Sequence, residues 1–127
     1  MSPEVAAWLA QLPWIPLVFS AAAAVLWLMS SAGGKKKREA LASKISAGAK
    51  VIDVRSKGEF SGGHYDGAVN IPVDTLSSKV KSLGNKDAPI VVYCASGARS
   101  SQAASMLKSA GFSDVTNAGG LGNMPRA

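Results

Sequence analysis

One cysteine, Cys94, stands alone in a chain of 127 residues. It opens the run Cys94-Ala95-Ser96-Gly97-Ala98-Arg99-Ser100 and follows directly on Tyr93. A lone thiol has no partner for an internal disulfide, so it is either an inert core group or a reactive one. Its surroundings favour reactivity. The β-branched run Ile90-Val91-Val92-Tyr93 predicts a buried strand, with Cys94 as the first residue beyond it. Ser100 to Ala110 predicts a helix with Ala103, Met106, Leu107 and Ala110 on one face and Gly111 as its stop. Between strand and helix, small side chains let successive backbone N–H groups converge on one point. Gly97 permits a conformation that a side chain hinders. Such a nest, closed by a helix N-terminus, holds an anion, and the anion can be the thiolate itself. With Arg99 close by, the thiol is expected to ionise easily and to be nucleophilic at neutral pH.

The remaining elements must position that loop. Ala40, Leu41, Ile45 and Ala47 suggest a short helix ended by Gly48, and Val51-Ile52-Asp53-Val54 a buried strand. Ser56 to Gly67 is a Gly- and Ser-rich loop with room for one helical turn. Ala68-Val69-Asn70-Ile71 is a second strand, stopped by Pro72. Asp74 is placed to cap a helix running to Leu83, with Gly84 behind it. Val115-Thr116-Asn117 is the last strand, and Gly119 to Gly122 opens a loop. Strands alternating with helices predict an α/β fold. Its central, mostly parallel sheet is flanked by helices, and ligands bind outside the carboxyl ends of its strands.

Charge is distributed unevenly. The 14 basic and 8 acidic side chains leave a formal balance of +6, yet no ionisable side chain lies between Glu4 and Lys35. Leu12 to Ala32 is apolar and about the length that a bilayer core of about 30 Å requires. Pro13 and Pro16 fall near its start, Trp8 and Trp14 lie at one end, and Trp27 is near the other. Lys35-Lys36-Lys37-Arg38 follow it. This order of charge argues for an uncleaved single-pass anchor rather than a cleaved leader, with the basic side cytoplasmic. The expected division is an extracytoplasmic tail over 1–11, a transmembrane helix over 12–32, a basic linker over 33–38 and a globular domain over 39–127. The expected location is the inner membrane. Basic residues beside an apolar run suggest anionic lipid; nothing spreads them over a face with aromatics as nucleic-acid modules do. Cysteine, histidine and carboxylates show no metal-ligand spacing, no phosphate-binding glycine fingerprint is present, and no cofactor is expected.

Five stretches together resemble a rhodanese (thiosulfate sulfurtransferase) domain, from about Leu41 to Gly122. They are Val51-Ile52-Asp53-Val54-Arg55; Glu59-Phe60 with Gly63-His64; Gly67-Ala68-Val69-Asn70-Ile71-Pro72; Ile90 through Cys94 to Arg99; and Ala118-Gly119-Gly120-Leu121. The small single-domain bacterial forms, including the phage-shock type, look most similar. The resemblance implies that Cys94 forms a persulfide and that Ala95, Ser96, Gly97, Ala98 and Arg99 make the loop around the sulfane sulfur. Arg99 would orient the loop and help bind an anionic donor. Related phosphatases have a loop one residue longer, so the length here favours sulfur over phosphate. Asp53, Arg55 and Glu59 are implied as supporting residues, with Arg55 pairing with Glu59 and Asp53 tying down its strand end; His64 is implied to be structural. The implied partners are a small sulfur donor and an acceptor that is cyanide, a thiol or a protein. A non-catalytic membrane-tethered module on the same scaffold is the alternative. Two departures stand out: Ala95 occupies the place of a frequent basic residue, and Met124 is near the place of a usual tryptophan.

Overall fold

The computed structural model describes residues 15–126, without the side chains of 15–20 and 29–32. The chain divides into two units, Met1–Lys36 and Lys37–Ala127. The elements in order are α1 (Ile15–Ser46), β1 (Lys50–Asp53), α2 (Lys57–Ser61), β2 (Val69–Asn70), α3 (Leu76–Lys79), β3 (Ile90–Cys94), α4 (Ala98–Ser109) and β4 (Val115–Gly120). Single 3-10 turns follow α3, at Val80–Leu83, and β4, at Leu121–Asn123.

The basic stretch 33–38, expected to be a linker, is helical, and the short helix expected after it is the end of α1. Glycine in a helix interior costs about 1 kcal/mol against alanine. Gly33 and Gly34 are followed by Lys, Arg, Glu, Ala and Leu, all strong helix formers, which outweigh them. The expected transmembrane segment 12–32 lies partly outside the described residues. Among the described residues no helix is long and apolar enough to cross a membrane.

In the second unit the strands stand in the order β2-β1-β3-β4 and every pairing is parallel. From β1 the chain steps outward to β2, then returns across β1 to β3. The crevice between β1 and β3 is therefore the switch point of the sheet, at whose carboxyl edge ligands bind. Asp53 ends β1 and Cys94 ends β3. Cys94 is thus the last residue of its strand rather than the first beyond it, and it pairs with Gly120.

Both faces of the sheet are covered, which is why β3 is buried at all five positions. Ile90, Val92 and Cys94 face one core with Ile52, Val54, Leu76, Ala103, Leu107 and Phe112. Val91 and Tyr93 face the other with Leu41, Val51, Ala118 and Met124. Met124, near the place of the family tryptophan, is buried here. Asp74 does not cap α3; Thr75 holds that position, and its hydroxyl donates to the Pro72 carbonyl rather than capping the helix. Ser56 caps α2 in a reciprocal box with Glu59.

A polar network crosses the sheet where β1 meets β3. The Tyr93 hydroxyl donates to Asp53 Oδ2 at 2.7 Å and accepts the N–H of Tyr65 at 2.9 Å. Arg55 donates to Asp53 Oδ1 and Oδ2 through Nε, at 3.1 Å each, and through Nη2 to Oδ2 at 2.8 Å and to the Gly63 carbonyl at 2.7 Å. Tyr93 and Asp53 are fully buried. Removing one partner from such a set strands the others without water. Tyr93→Phe is therefore expected to lower the unfolding free energy by about 1–3 kcal/mol in urea titrations of the full chain. A loss of only a few tenths would mean that the hydroxyl is not structurally engaged.

Candidate active site

Strand β3 delivers the Cys94 side chain to the carboxyl edge, on the face covered by α4. The chain then turns sharply into α4. The turn depends on Gly97, whose φ of +113° is one that side-chain-bearing residues rarely adopt. That conformation aims the Gly97 N–H at Cys94 Sγ, 2.9 Å away. Ala95, Ser96 and Ala98 are exposed, Gly97 and Arg99 half-buried, and Cys94 beneath them is only 1 % exposed. The turn faces solvent while its sulfur is nearly dry.

Gly120 fixes the other side of the loop. A Cβ there would lie 2.6 Å from the Ala95 carbonyl oxygen, so only glycine lets β4 come this close. The end of β4 and the cysteine loop are thus one packed unit, though they are far apart in sequence.

Ser100, expected as the start of a helix, is also a direct neighbour of the sulfur. It is fully buried, and its hydroxyl lies 3.4 Å from Cys94 Sγ. The same hydroxyl reaches the carbonyls of Gly97 at 3.0 Å and Gly119 at 3.3 Å. A hydroxyl has one proton to give. Beside a thiol, the S–H donates to Ser100 Oγ and the hydroxyl points at a carbonyl. Beside a thiolate, the hydroxyl turns and donates to sulfur.

Burial pushes the Cys94 thiol up, but the Ser100 hydroxyl and then the backbone N–H groups of Ser100, Gly97 and Ser96 outweigh it. The result is a fall from the ordinary 9.0 to about 7. The expected direction is found, and the backbone N–H groups of the expected nest contribute to it. The Ser100 hydroxyl is the largest lowering influence, and the charge of Arg99 is not among the leading ones.

Arg99 is committed elsewhere. It donates to Glu59 through Nη1 at 2.7 Å and Nη2 at 3.0 Å, a two-pronged pair. This pair holds the Glu59 carboxyl down to about 2. The expected pairing of Arg55 with Glu59 is therefore corrected. Arg55 turns inward to Asp53, two residues away on the same strand end, and leaves Glu59 for the loop arginine. Burial raises Asp53, but its bonds from Arg55 and Tyr93 outweigh that and hold it below its usual value. Asp53 so held is a permanent carboxylate that faces Arg55 and Tyr93. His64 is exposed, stacks on Phe60 at 3.6 Å and shares a 2.8 Å hydrogen bond with the Phe60 carbonyl. Among the described residues no group of three or more His, Cys, Asp or Glu side chains is placed to hold a metal ion.

The arrangement can hold a sulfur anion and can accept a second sulfur on it. Rapid-mixing alkylation of the full chain with iodoacetamide is expected to follow a titration centred at pH about 7. Below that pH the thiolate is lost and the rate falls. Ser100→Ala should shift the midpoint upward; an unchanged midpoint would remove the hydroxyl from the account.

Comparison with known proteins agrees with this geometry. Residues 37–121 match the family described as Rhodanese-like domain. Thiosulfate sulfurtransferase PspE of Escherichia coli K12 is 37 % identical over 71 residues, which are 55 % of this chain and 68 % of that protein. An uncharacterized Bacillus subtilis protein, YqhL, is 39 % identical over 69 residues, and the chain spans only about half of its length, 54 %. A solved E. coli structure titled "rhodanese with anions" superposes with a TM-score of 0.57 at 35 % identity, over 61 % of this chain and 94 % of that one. A human single-domain sulfurtransferase, TSTD1, also gives 0.57, at 30 % identity, over 62 % of this chain and 82 % of that one. The matched stretch contains β1 through β4 and the whole loop from Cys94 to Arg99, and on that basis the chain belongs to the rhodanese-like domain family.

Proposed function

We propose that this chain is a sulfurtransferase that carries sulfane sulfur as a persulfide on Cys94. The observation that carries the reading is the set of donors around one sulfur: the Gly97 N–H at 2.9 Å and the Ser100 hydroxyl at 3.4 Å, on a residue whose thiol ionises near pH 7. These donors stabilise a negative sulfur in place, which is the form that attacks and the form that leaves.

The cycle has two steps. The Cys94 thiolate attacks the outer sulfur of a donor such as thiosulfate. A bond forms between the two sulfurs, the bond to the donor's sulfonate breaks, and sulfite leaves with the electron pair. The outer sulfur now carries the negative charge at the mouth of the turn. In the second step a nucleophile takes that outer sulfur and Cys94 departs again as thiolate. With no second cysteine in the sequence, the acceptor comes from outside: cyanide, a small thiol or a partner protein. Because Cys94 is so thoroughly covered, the reacting donor atom has to be a terminal one.

We also propose that the chain is tethered to the inner membrane with its catalytic domain in the cytoplasm. Support comes from the apolar run before Lys35-Lys36-Lys37-Arg38 and from Val25, Leu26, Trp27 and Leu28, which are 54–69 % exposed on α1. A contiguous exposed apolar stretch of that kind marks a surface meant for another apolar phase.

Two measurements test these readings. Incubated with thiosulfate and weighed intact, the full chain should gain one sulfur atom, removable by cyanide and absent in Cys94→Ser. A chain that gains nothing would favour the non-catalytic binding module, and turnover of an aryl phosphate would favour a phosphatase. For the tether, a reporter fused after Arg38 should give a cytoplasmic signal in membrane fractions. An extracytoplasmic or wholly unattached reporter would contradict it.

A further inference from the structure

Helix α4 carries more apolar surface than the core covers. Ala103 and Leu107 are fully buried, but Met106 and Ala110, on the same stripe, are only half-buried. Val80, in the 3-10 turn after α3, is also half-buried, and all three pack against the outside of the core. Together they floor a groove of about 660 Å³ between that turn and α4. The groove lies away from the chemistry. It follows α4 from Gln102 onward, whereas the cysteine turn enters the helix at Ala98. With 12 residues the helix is about 18 Å long, so both ends are accessible at once.

Shape and charge say what fits this groove. Its sides are Ser77, Ser105 and Ser109 with Gln102, all exposed, so it is open along its length. A lone acyl chain laid there keeps much of its surface in water, whereas small-molecule pockets bury most of their ligand. A helix lays one apolar stripe into a groove and keeps its other faces wet. The unbranched Met106 side chain adapts to such a partner.

The charge is of one sign. Lys81 and Lys86 line the groove and no carboxylate does. Lys81 is exposed and belongs to no ion pair among the described residues. Lys86 donates to the Ala110 carbonyl and lies over the Phe112 ring, neither of which cancels its charge. Asp87, the acidic residue next to Lys86, is outside the groove and lies by the Ser113 hydroxyl. Acidic groups beside an apolar stripe complement this pattern, and basic ones oppose it.

We propose that the groove between the 3-10 turn and α4 is a docking site for an acidic amphipathic helix of a partner protein. The partner's apolar stripe lies on Val80, Met106 and Ala110, and its carboxylates meet Lys81 and Lys86. Docked there, it leaves the turn from Cys94 to Arg99 open. The site is independent of the persulfide reading and holds whatever Cys94 carries.

The test reads the groove from its floor. The chain has four methionines; Met106 lies in the groove, and Met124 is buried in the other core. Full chain labelled with carbon-13 at the methionine methyl groups, in nanodiscs of zwitterionic lipid, is titrated with designed helical peptides of about 18 residues, long enough to span α4. One peptide has a leucine stripe flanked by glutamates. A second has lysine for every glutamate, and a third keeps the first composition with the leucines spread around the helix. Oleate is a further titrant. The Met106 signal, identified by Met106→Leu, should shift saturably with the first peptide and with no other titrant, while Met124 stays in place. Lys81→Met should weaken that binding about two- to fivefold, the range expected of one exposed ion pair. Ser105→Glu, which sets a carboxylate against those of the peptide, should weaken it at least as much. Both positions are exposed, and an unmoved Met124 signal shows that each variant is folded. No shift at Met106, an equal response to either sign of charge, a response to oleate alone, or binding indifferent to both variants would overturn the inference. Sulfur loading is read separately by intact mass, so neither result decides the other.

Discussion

A charged sulfur must be kept almost out of water and still be hydrogen-bonded, and most of the second unit is arranged around that demand. Burial alone would suppress the thiolate, because removing an anion from water is costly. The protein offsets the cost with the Ser100 hydroxyl and three backbone N–H groups rather than with a nearby cation. Dipoles of this kind are fixed by the backbone and need no reorganisation as charge moves on and off the sulfur. The geometry that delivers them has two requirements at glycine: the positive φ of Gly97 and the missing side chain of Gly120. The second is the less obvious. Gly120 is on another strand, yet a methyl group there would press on the Ala95 carbonyl and push the loop away from the sulfur.

Alternation along β3 lets one strand serve two purposes. Cys94 points to the face of α4, and Tyr93 points to the opposite face, where it binds Asp53 and the backbone of Tyr65. Cys94 and the fastening of the β1 loop are therefore adjacent in sequence but separated by the sheet. Burial is the largest influence on the Tyr93 hydroxyl, and with Asp53 beside it the group is pushed up to about 12, so it stays a donor at every physiological pH. Arg55 neutralises Asp53 where it sits, and that carboxylate does not load the sulfur site with negative charge.

How much of this was legible in the sequence follows from how local each signal is. Strand β3, the turn at Gly97 and helix α4 depend on consecutive residues, and the pattern of small side chains after Cys94 marks the loop. Ion-pair partners are not local. Glu59 sits four residues after Arg55 and forty before Arg99, and the family resemblance implies the nearer arginine. Only the inward turn of Arg55 toward Asp53 releases Glu59 for the loop. Ser100 was readable as a helix residue, but its role needs the register of α4 against β4, which brings the Gly119 carbonyl to its hydroxyl. The linker expected over 33–38 is helical instead, because the strong helix formers after Gly33-Gly34 decide the outcome.

The engagement of Arg99 by Glu59 has a bearing on how the loop behaves. A guanidinium left unpaired beside the sulfur would attract any anion to the loop, including unreactive ones, and would deepen the ionisation of Cys94. Paired in two-pronged fashion with a carboxylate, it presents little net charge and instead ties the start of α4 to α2. Both side chains are 37 % exposed, so solvent screens the pair and an anion in solution can compete for the guanidinium at modest cost. Glu59 is itself held by Ser56, through the capping box of α2. The arginine is therefore oriented by a short helix that the β1 loop carries, and that loop is fastened by Asp53, Arg55 and Tyr93. The Asp53–Arg55 pair and the Glu59–Arg99 pair are thus joined through the backbone of the β1 loop, which Arg55 holds at the Gly63 carbonyl. This explains why residues that never touch the sulfur lie close to it in the fold.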